Sequence, residues 1–277
     1  MNIRWKTSLT VAALGASLLA APAWAQKESP ASTPYEPTVG QAGKDVVWVP
    51  TSQALVDRML DMAKLTPADR LVDLGSGDGR TVITAAKRGA VSRGIEFNPD
   101  LVALSKRNAA AEGVSQRATF EQADIFKSNF SNATVVTLFL LPELNARLRP
   151  ILLDMKPGTR VVSNSFRMES WEPDQTEHVT DGCSSFCDAY LWIVPAKVAG
   201  NWRTNDGQLQ LTQTNQMLEG ALRKVTGSTP QPISDAKMNG ANIQFTVGTD
   251  QYKGVVSGKQ IKGTVNGNKA WTAQRQG

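Results

Sequence analysis

Residues 71–90, LVDLGSGDGRTVITAAKRGA, place Gly75, Gly77 and Gly79 within five positions, with Ser76 and Asp78 between them and Asp73 just ahead. A short apolar run before the glycines and a helical pattern after them make a strand–turn–helix unit, where backbone amides and a helix N-terminus usually attract phosphate. Two carboxylates in one turn repel a pyrophosphate, so this turn suits a ligand that needs close backbone approach beside negative charge. The dinucleotide fingerprint G-x-G-x-x-G also needs a small residue where Arg80 stands; the spacing here is G-x-G-x-G. Two more acids have matching positions. Glu96 lies at the end of the next apolar run and suits the acceptance of two ribose hydroxyl protons, or it is a solvated strand-end carboxylate. Asp124 follows the run after that, where a turn or helix cap is its other role.

These residues need a scaffold that brings strand ends together. RLVDL 70–74, VSRGIEF 91–97, RATFEQ 117–122, ATVVTLF 133–139 and TRVVSNSF 159–166 carry the strand pattern, and stretches near 79–89, 99–112 and 143–155 carry helical spacing. A helix precedes them, with Leu55, Val56, Met59, Leu60 and Ala63 on one face and Thr51 or Ser52 placed to cap it. Strands alternating with helices predict right-handed βαβ crossovers and a mostly parallel sheet covered on both faces. Runs near 176–180 and 189–195 then close the sheet as an antiparallel hairpin. On this scaffold Asp73, Glu96 and Asp124 fall at the C-terminal ends of consecutive strands, the edge where open α/β sheets bind ligands.

The G-x-G-x-G spacing with its preceding acid resembles motif I of class I S-adenosylmethionine methyltransferases. The resemblance implies S-adenosylmethionine as cofactor, held around Asp73, Gly75, Ser76, Gly77, Asp78 and Gly79, with Glu96 on the ribose and Asp124 on the adenine amino group. Such a ligand has no phosphate and carries an ammonium and a sulfonium, both favoured by carboxylates. Residues 46–80, VVWVPTSQALVDRMLDMAKLTPADRLVDLGSGDGR, and 133–166, ATVVTLFLLPELNARLRPILLDMKPGTRVVSNSF, are similar to the protein lysine methyltransferases whose mitochondrial members modify the ATP synthase c-ring protein and the adenine nucleotide translocase. The likeness spans most of residues 46–195. It implies an α/β, Rossmann-like fold with a doubly wound, mostly parallel seven-stranded sheet, and N-methylation of a lysine or other amine on a protein. It also implies that Pro50 and Thr51, in Trp48-Val49-Pro50-Thr51, and the Leu141-Pro142-Glu143 turn border the cofactor and the amine entrance. A helix cap and a strand-to-helix turn are their alternative roles.

Many amine-directed relatives place Asn or Asp before a proline at the end of strand four, whereas FLLPELN has neither immediately before Pro142. Backbone carbonyls of Leu140 and Leu141, with the side chains of Glu143 or Asn145, are therefore the candidates for orienting the amine, and Asn164 is a second polar candidate. Cys183 and Cys187 in DGCSSFCD are four residues apart and suit a local disulfide; free thiols, or a metal site with His178, are the alternatives.

The chain has 277 residues, 41% of them hydrophobic, enough for a full core in one large domain or two smaller ones. Arg4 and Lys6, an apolar run from Leu9 to about Ala21 and Ala23-Trp24-Ala25 predict a signal peptide over 1–25, with export to the periplasm or outside the cell; an uncleaved anchor is the alternative. Residues 26–45 read as a Pro- and Ser-rich linker, 46–198 as the methyltransferase domain and 200–277 as a small antiparallel β-domain of unknown role. That last segment holds nine Lys or Arg against four Asp or Glu, and residues 26–200 sum to −2, which argues against nucleic acid as partner and leaves weak attachment through the basic C-terminal domain open. A small-molecule methyltransferase and an exported, non-catalytic ligand-binding protein are the competing functions.

Overall fold

The structure, a computed structural model, describes residues 1–3, 35–224 and 228–276. The leader predicted over 1–25, past its first three residues, and residues 26–34 of the linker lie outside the described residues. Among the described residues no helix is long and apolar enough to cross a membrane.

The first domain starts with α1 (Gln53–Met62), which Ser52 caps by accepting a hydrogen bond from the Leu55 amide at 3.3 Å. There follow β1 (Arg70–Leu74), α2 (Arg80–Lys87), β2 (Val91–Glu96), α3 (Pro99–Ala111), β3 (Ala118–Gln122), β4 (Val135–Leu138), α4 (Pro142–Leu153), β5 (Arg160–Asn164), β6 (Gln175–His178) and β7 (Asp188–Ile193). The seven strands lie in the order β3-β2-β1-β4-β5-β7-β6; the first five are parallel and β7 runs antiparallel to both neighbours. Helices cover both faces, so central strands bury both sides: Leu71, Leu74, Val135, Val136, Val161 and Val162 are all buried. The strand order reverses between β1 and β4, which opens a crevice at their C-terminal ends.

The opposite edge is fastened by charge. Asp69 is buried and accepts from the Thr66 amide at 2.8 Å, the Thr66 hydroxyl at 2.9 Å, the Thr134 hydroxyl at 2.7 Å and the Arg160 guanidinium. Burial pushes the carboxyl up, but these donors outweigh it and hold Asp69 below the ordinary carboxylate range.

The second domain is more regular than its sequence predicts. Strands β8 (Gly200–Thr204), β9 (Gly207–Thr214), β10 (Met217–Arg223), β12 (Ser234–Asn239), β13 (Asn242–Val247), β14 (Asp250–Ser257), β15 (Gln260–Val265) and β16 (Lys269–Arg275) pair antiparallel, and β10 returns to β9, closing an eight-stranded barrel. A two-residue strand, β11 (Gln231–Pro232), pairs on β10. Strand β12, SDAKMN, escapes sequence patterning because only Ala236 and Met238 turn inward between charged and amide neighbours. The interior is solid: Phe245 and Tyr252 stack at 4.7 Å between centroids, with Trp271 edge-on to both and Trp202 buried in the same core. Gly263 is required inside β15, since a Cβ there would lie 1.9 Å from the Lys253 carbonyl oxygen. The barrel docks by Ala196 N to the Gly240 carbonyl at 2.8 Å, Gln213 Nε2 to the Ala196 carbonyl at 3.0 Å and Gln216 Nε2 to the Glu172 carbonyl at 2.7 Å. Ala196 and Gly158, against which Gly240 packs, adjoin the N-terminal end of β5, so this contact lies away from the crevice.

Candidate active site

The glycine turn is fixed on three sides. The amides of Gly75 and Ser76 both donate to the Ile95 carbonyl, at 2.8 and 3.1 Å, which seats the turn on β2. From α3, the Ser105 hydroxyl donates to the Gly77 carbonyl at 2.9 Å and Asn108 Nδ2 to the Asp78 carbonyl at 3.0 Å. All three glycines have positive φ, from 54° to 83°, a backbone that side chains with a Cβ rarely adopt. Their surroundings separate their roles. A Cβ on Gly77 would lie 2.7 Å from Trp48 Nε1, at the crevice; one on Gly79 would lie 2.8 Å from the Phe120 ring, in the packing of α2 and α3 against β3. Gly79 is thus a packing residue and does not line the crevice, unlike the other glycines of the motif.

A cleft of about 520 Å³ opens at this edge, and Pro50, Thr51, Asp73, Gly75, Ser76, Gly77, Asp78, Glu96 and Asp124 all line it. Asp73 is 7% exposed; burial, with Glu96 and Asp78 nearby, pushes its carboxyl up to about 7, against the lowering effect of a 2.6 Å hydrogen bond from the Thr137 hydroxyl. Thr137 is directly across from Asp73 in the β1–β4 pairing, a partnership that sequence reasoning missed because the two residues are 64 apart. Glu96 accepts from the Gly77 amide at 3.0 Å and from the Asn98 amide at 2.9 Å, so its carboxylate is oriented before any ligand arrives. Asp78 is neutralised by Arg80, whose Nε lies 3.0 Å from it and whose Nη1 donates to the Thr51 carbonyl at 2.7 Å. Arg80, which excluded the dinucleotide fingerprint, ties the turn to the entry of α1.

The linker boundary requires correction. Residues 40–48 form a small hairpin, with the Gly40 amide donating to the Trp48 carbonyl at 2.9 Å and Trp48 to that of Gln41 at 2.9 Å, and residues 41–51 form one wall of the cleft. Pro and Gly content there marks a tight turn as well as a linker. Lys44 on this hairpin bonds Asp124 at 2.8 Å and sits 4.9 Å over the Phe97 ring; its hydrogen bond holds the Asp124 carboxyl below the ordinary range.

The amine candidates separate. Pro142 and Glu143 are exposed in the first turn of α4 and do not line the cleft. Asn145 is fully buried and donates to the carbonyls of Phe166 and Arg167 at 3.2 and 3.3 Å, holding the chain after β5; it is a scaffold residue with no reach to an amine. Asn164 is also fully buried and donates to the Thr51 hydroxyl at 3.1 Å. Leu140 and Leu141 do line the cleft, joined by Phe139, Phe166 and Phe186, three aromatics that sequence patterning did not single out. Cys183 and Cys187 form a disulfide beside Phe186, which leaves no free thiol for a metal, His178 Nδ1 bonds Asp188, and among the described residues no three His, Cys, Asp or Glu side chains gather as a metal site.

The residues present fit S-adenosylmethionine. A buried acid, an oriented strand-end acid, a glycine turn with no room for side chains and an apolar far end suit an ammonium, a ribose, an adenine and a methyl-bearing sulfonium in turn. The fold and site define an S-adenosylmethionine-dependent methyltransferase of the class I α/β type. A family model, the ANTKMT methyltransferase domain, matches residues 73–175. A protein-lysine N-methyltransferase of Saccharolobus islandicus is 41% identical over 152 residues, covering 54% of this chain and 94% of that protein. The adenine nucleotide translocase lysine N-methyltransferase of Mus musculus is 34% identical over 130 residues, covering 46% of this chain and 56% of that protein. Among solved structures, an RNA methyltransferase from Salinibacter ruber in complex with S-adenosyl-L-homocysteine shares 46% identity at a TM-score of 0.51, covering 54% of this chain and 96% of that one. The chain belongs to this methyltransferase family. Among the described residues all those that line the cleft fall between 41 and 186, and none of them belongs to the barrel.

Proposed function

We propose that this protein methylates the ε-amino group of a lysine on a protein. The observation that carries the reading is the 41% identity across 94% of the archaeal protein-lysine N-methyltransferase. The cleft suits it: an acidic end for the cofactor's cation runs into an apolar end rimmed by exposed Leu141 and Phe186, open enough for a side chain on a protein surface. Bound S-adenosylmethionine supplies a methyl group on a sulfonium, which a neutral amine takes in an in-line displacement. The chain's own residues bind and align. Asp73 and Glu96 anchor the cofactor at a fixed depth, Lys44 and the hairpin cover it, and the apolar end desolvates the amine, which favours the uncharged nucleophile. The amine's proton leaves to water at the open mouth.

Incubation with S-adenosylmethionine labelled in its methyl group, followed by separation of protein, RNA and small molecules, tests the proposal. Label recovered as methyl-lysine from the protein fraction is expected. Label confined to RNA or to small molecules would overturn it.

The disulfide favours a second proposal, that the protein works in an oxidising compartment after removal of residues 1–25. A mature N-terminus at Gln26 in the periplasmic or secreted fraction supports this; an intact N-terminus on a reduced cytoplasmic chain refutes it. The barrel's basic excess supports attachment to an acidic surface, with Lys237, Lys253 and Lys262 on one outer face. Loss of that attachment when these three are changed to Glu is the expected result.

A further inference from the structure

We propose that Phe139, Phe166 and Phe186 form the cage that seats the substrate amine, and that the Cys183–Cys187 disulfide holds the third ring in place. This rests on the protein-amine reading above and names the residues that would position that amine.

Three separate elements supply the rings. Phe139 follows β4, Phe166 follows β5, and Phe186 comes from the loop between β6 and β7. Their centroids are mutually close, at 6.0 Å for Phe139–Phe166, 5.3 Å for Phe139–Phe186 and 6.1 Å for Phe166–Phe186, and all three face the cleft. Such rings usually close a core, yet Phe186 is 44% exposed and so gains little by burial. Its backbone is also costly, with φ at 56°, a region that bulky residues rarely occupy. The next residue, Cys187, is buried and covalently tied to Cys183, so the loop is pinned on both sides of the ring.

The chemistry matches an amine. Ring faces carry negative charge density and attract an ammonium by cation–π contact. The same walls exclude water, which lowers the cost of presenting the neutral amine. A cage of this kind explains how the site works with Glu143 outside the cleft and Asn145 committed to the scaffold. The rings take no proton; it departs to solvent past half-exposed Phe186.

The test compares the wild type, Phe186→Ala, Phe186→Tyr and a Cys183→Ser/Cys187→Ser chain. Binding of tetramethylammonium chloride and of Nα-acetyl-lysine amide is followed by NMR, and S-adenosylhomocysteine affinity by calorimetry. Removing one ring is expected to weaken both cations about fivefold, with S-adenosylhomocysteine affinity unchanged and binding restored by tyrosine. The double serine chain moves the same way by less. On a protein substrate, Phe186→Ala raises the KM for that protein and leaves the KM for S-adenosylmethionine alone. Equal cation binding by wild type and Phe186→Ala, or a parallel loss of S-adenosylhomocysteine, overturns the cage. The cation titration needs no turnover. If methyl label enters RNA alone, the protein-lysine reading fails by that measurement, whereas the cage stands or falls by the titration.

Discussion

If Asp73 meets the cofactor's ammonium as proposed, binding is expected to depend on pH in a way that can be worked out in advance. Its carboxyl, pushed up to about 7 mainly by burial, is partly protonated in the ligand-free protein at neutral pH. A ligand ammonium is drawn by the ionised form, so affinity follows the ionised fraction. That fraction falls about tenfold between pH 8 and pH 6, equivalent to about 1.4 kcal/mol of binding free energy. Asp124 does not contribute, because Lys44 holds it low and it stays ionised across this range. Calorimetric titration with S-adenosylhomocysteine should show the loss, and at pH 7 binding should release about half a proton, read from the dependence of enthalpy on buffer. Asp73→Asn should abolish the pH dependence and bind weakly throughout, while Thr137 keeps an acceptor. The stability of the free protein moves oppositely. A folded-state pKa raised above the unfolded value means that the folded chain binds more protons between about pH 4 and pH 7, so stability falls as pH rises through that window. Asp73→Asn should therefore be a few kcal/mol more stable than the wild type at pH 8. Equal affinity at pH 6 and pH 8 in the wild type, or a tenfold change that survives in Asp73→Asn, would refute this account.

Four further perturbations have expected outcomes. Arg160→Met strands the buried Asp69 carboxylate and should cost about 3 kcal/mol in denaturant unfolding. Asp69 is depressed in the fold, so its contribution is present above about pH 4 and lost as pH falls below; the variant should show correspondingly weaker acid sensitivity. Reducing the Cys183–Cys187 loop should lower stability by about 2 kcal/mol, measured by denaturation with and without reductant; an unchanged midpoint would show that the cross-link does not stabilise the fold. Glu143→Ala should leave turnover unaltered, whereas Asn145→Leu orphans two carbonyls and should cost about 1–3 kcal/mol in thermal unfolding.

The barrel and the hairpin mark where local pattern stops informing. Alternation in residues 208–220 and 241–275 predicts antiparallel strands, but closure depends on β10 meeting β9 on one side and β12 on the other, and the β10–β12 contact is made at Met217 with Lys237. Nothing periodic announces a pairing between residues twenty apart in strands of weak pattern. Residues 38–45 have linker composition, and only their docking on Gly77 through Trp48 and on Asp124 through Lys44 gives them a place in the site.

By itself the sequence determined the strand–turn–helix at 70–87, the parallel α/β order and the three acids at strand ends, because glycine spacing, apolar period and chain order are local and a βαβ unit turns them directly into geometry. Only the tertiary structure decided that Thr137 answers Asp73, that Arg80 quiets Asp78, that Glu143 and Asn145 stand outside the cleft, and that three phenylalanines from three elements meet inside it. Apart from the Arg80–Asp78 pair, whose members are two residues apart, those contacts join positions 20 to 64 residues apart, made when sheet neighbours and loop ends are brought together, and side-chain direction at such meetings is set by packing that no short stretch of sequence encodes.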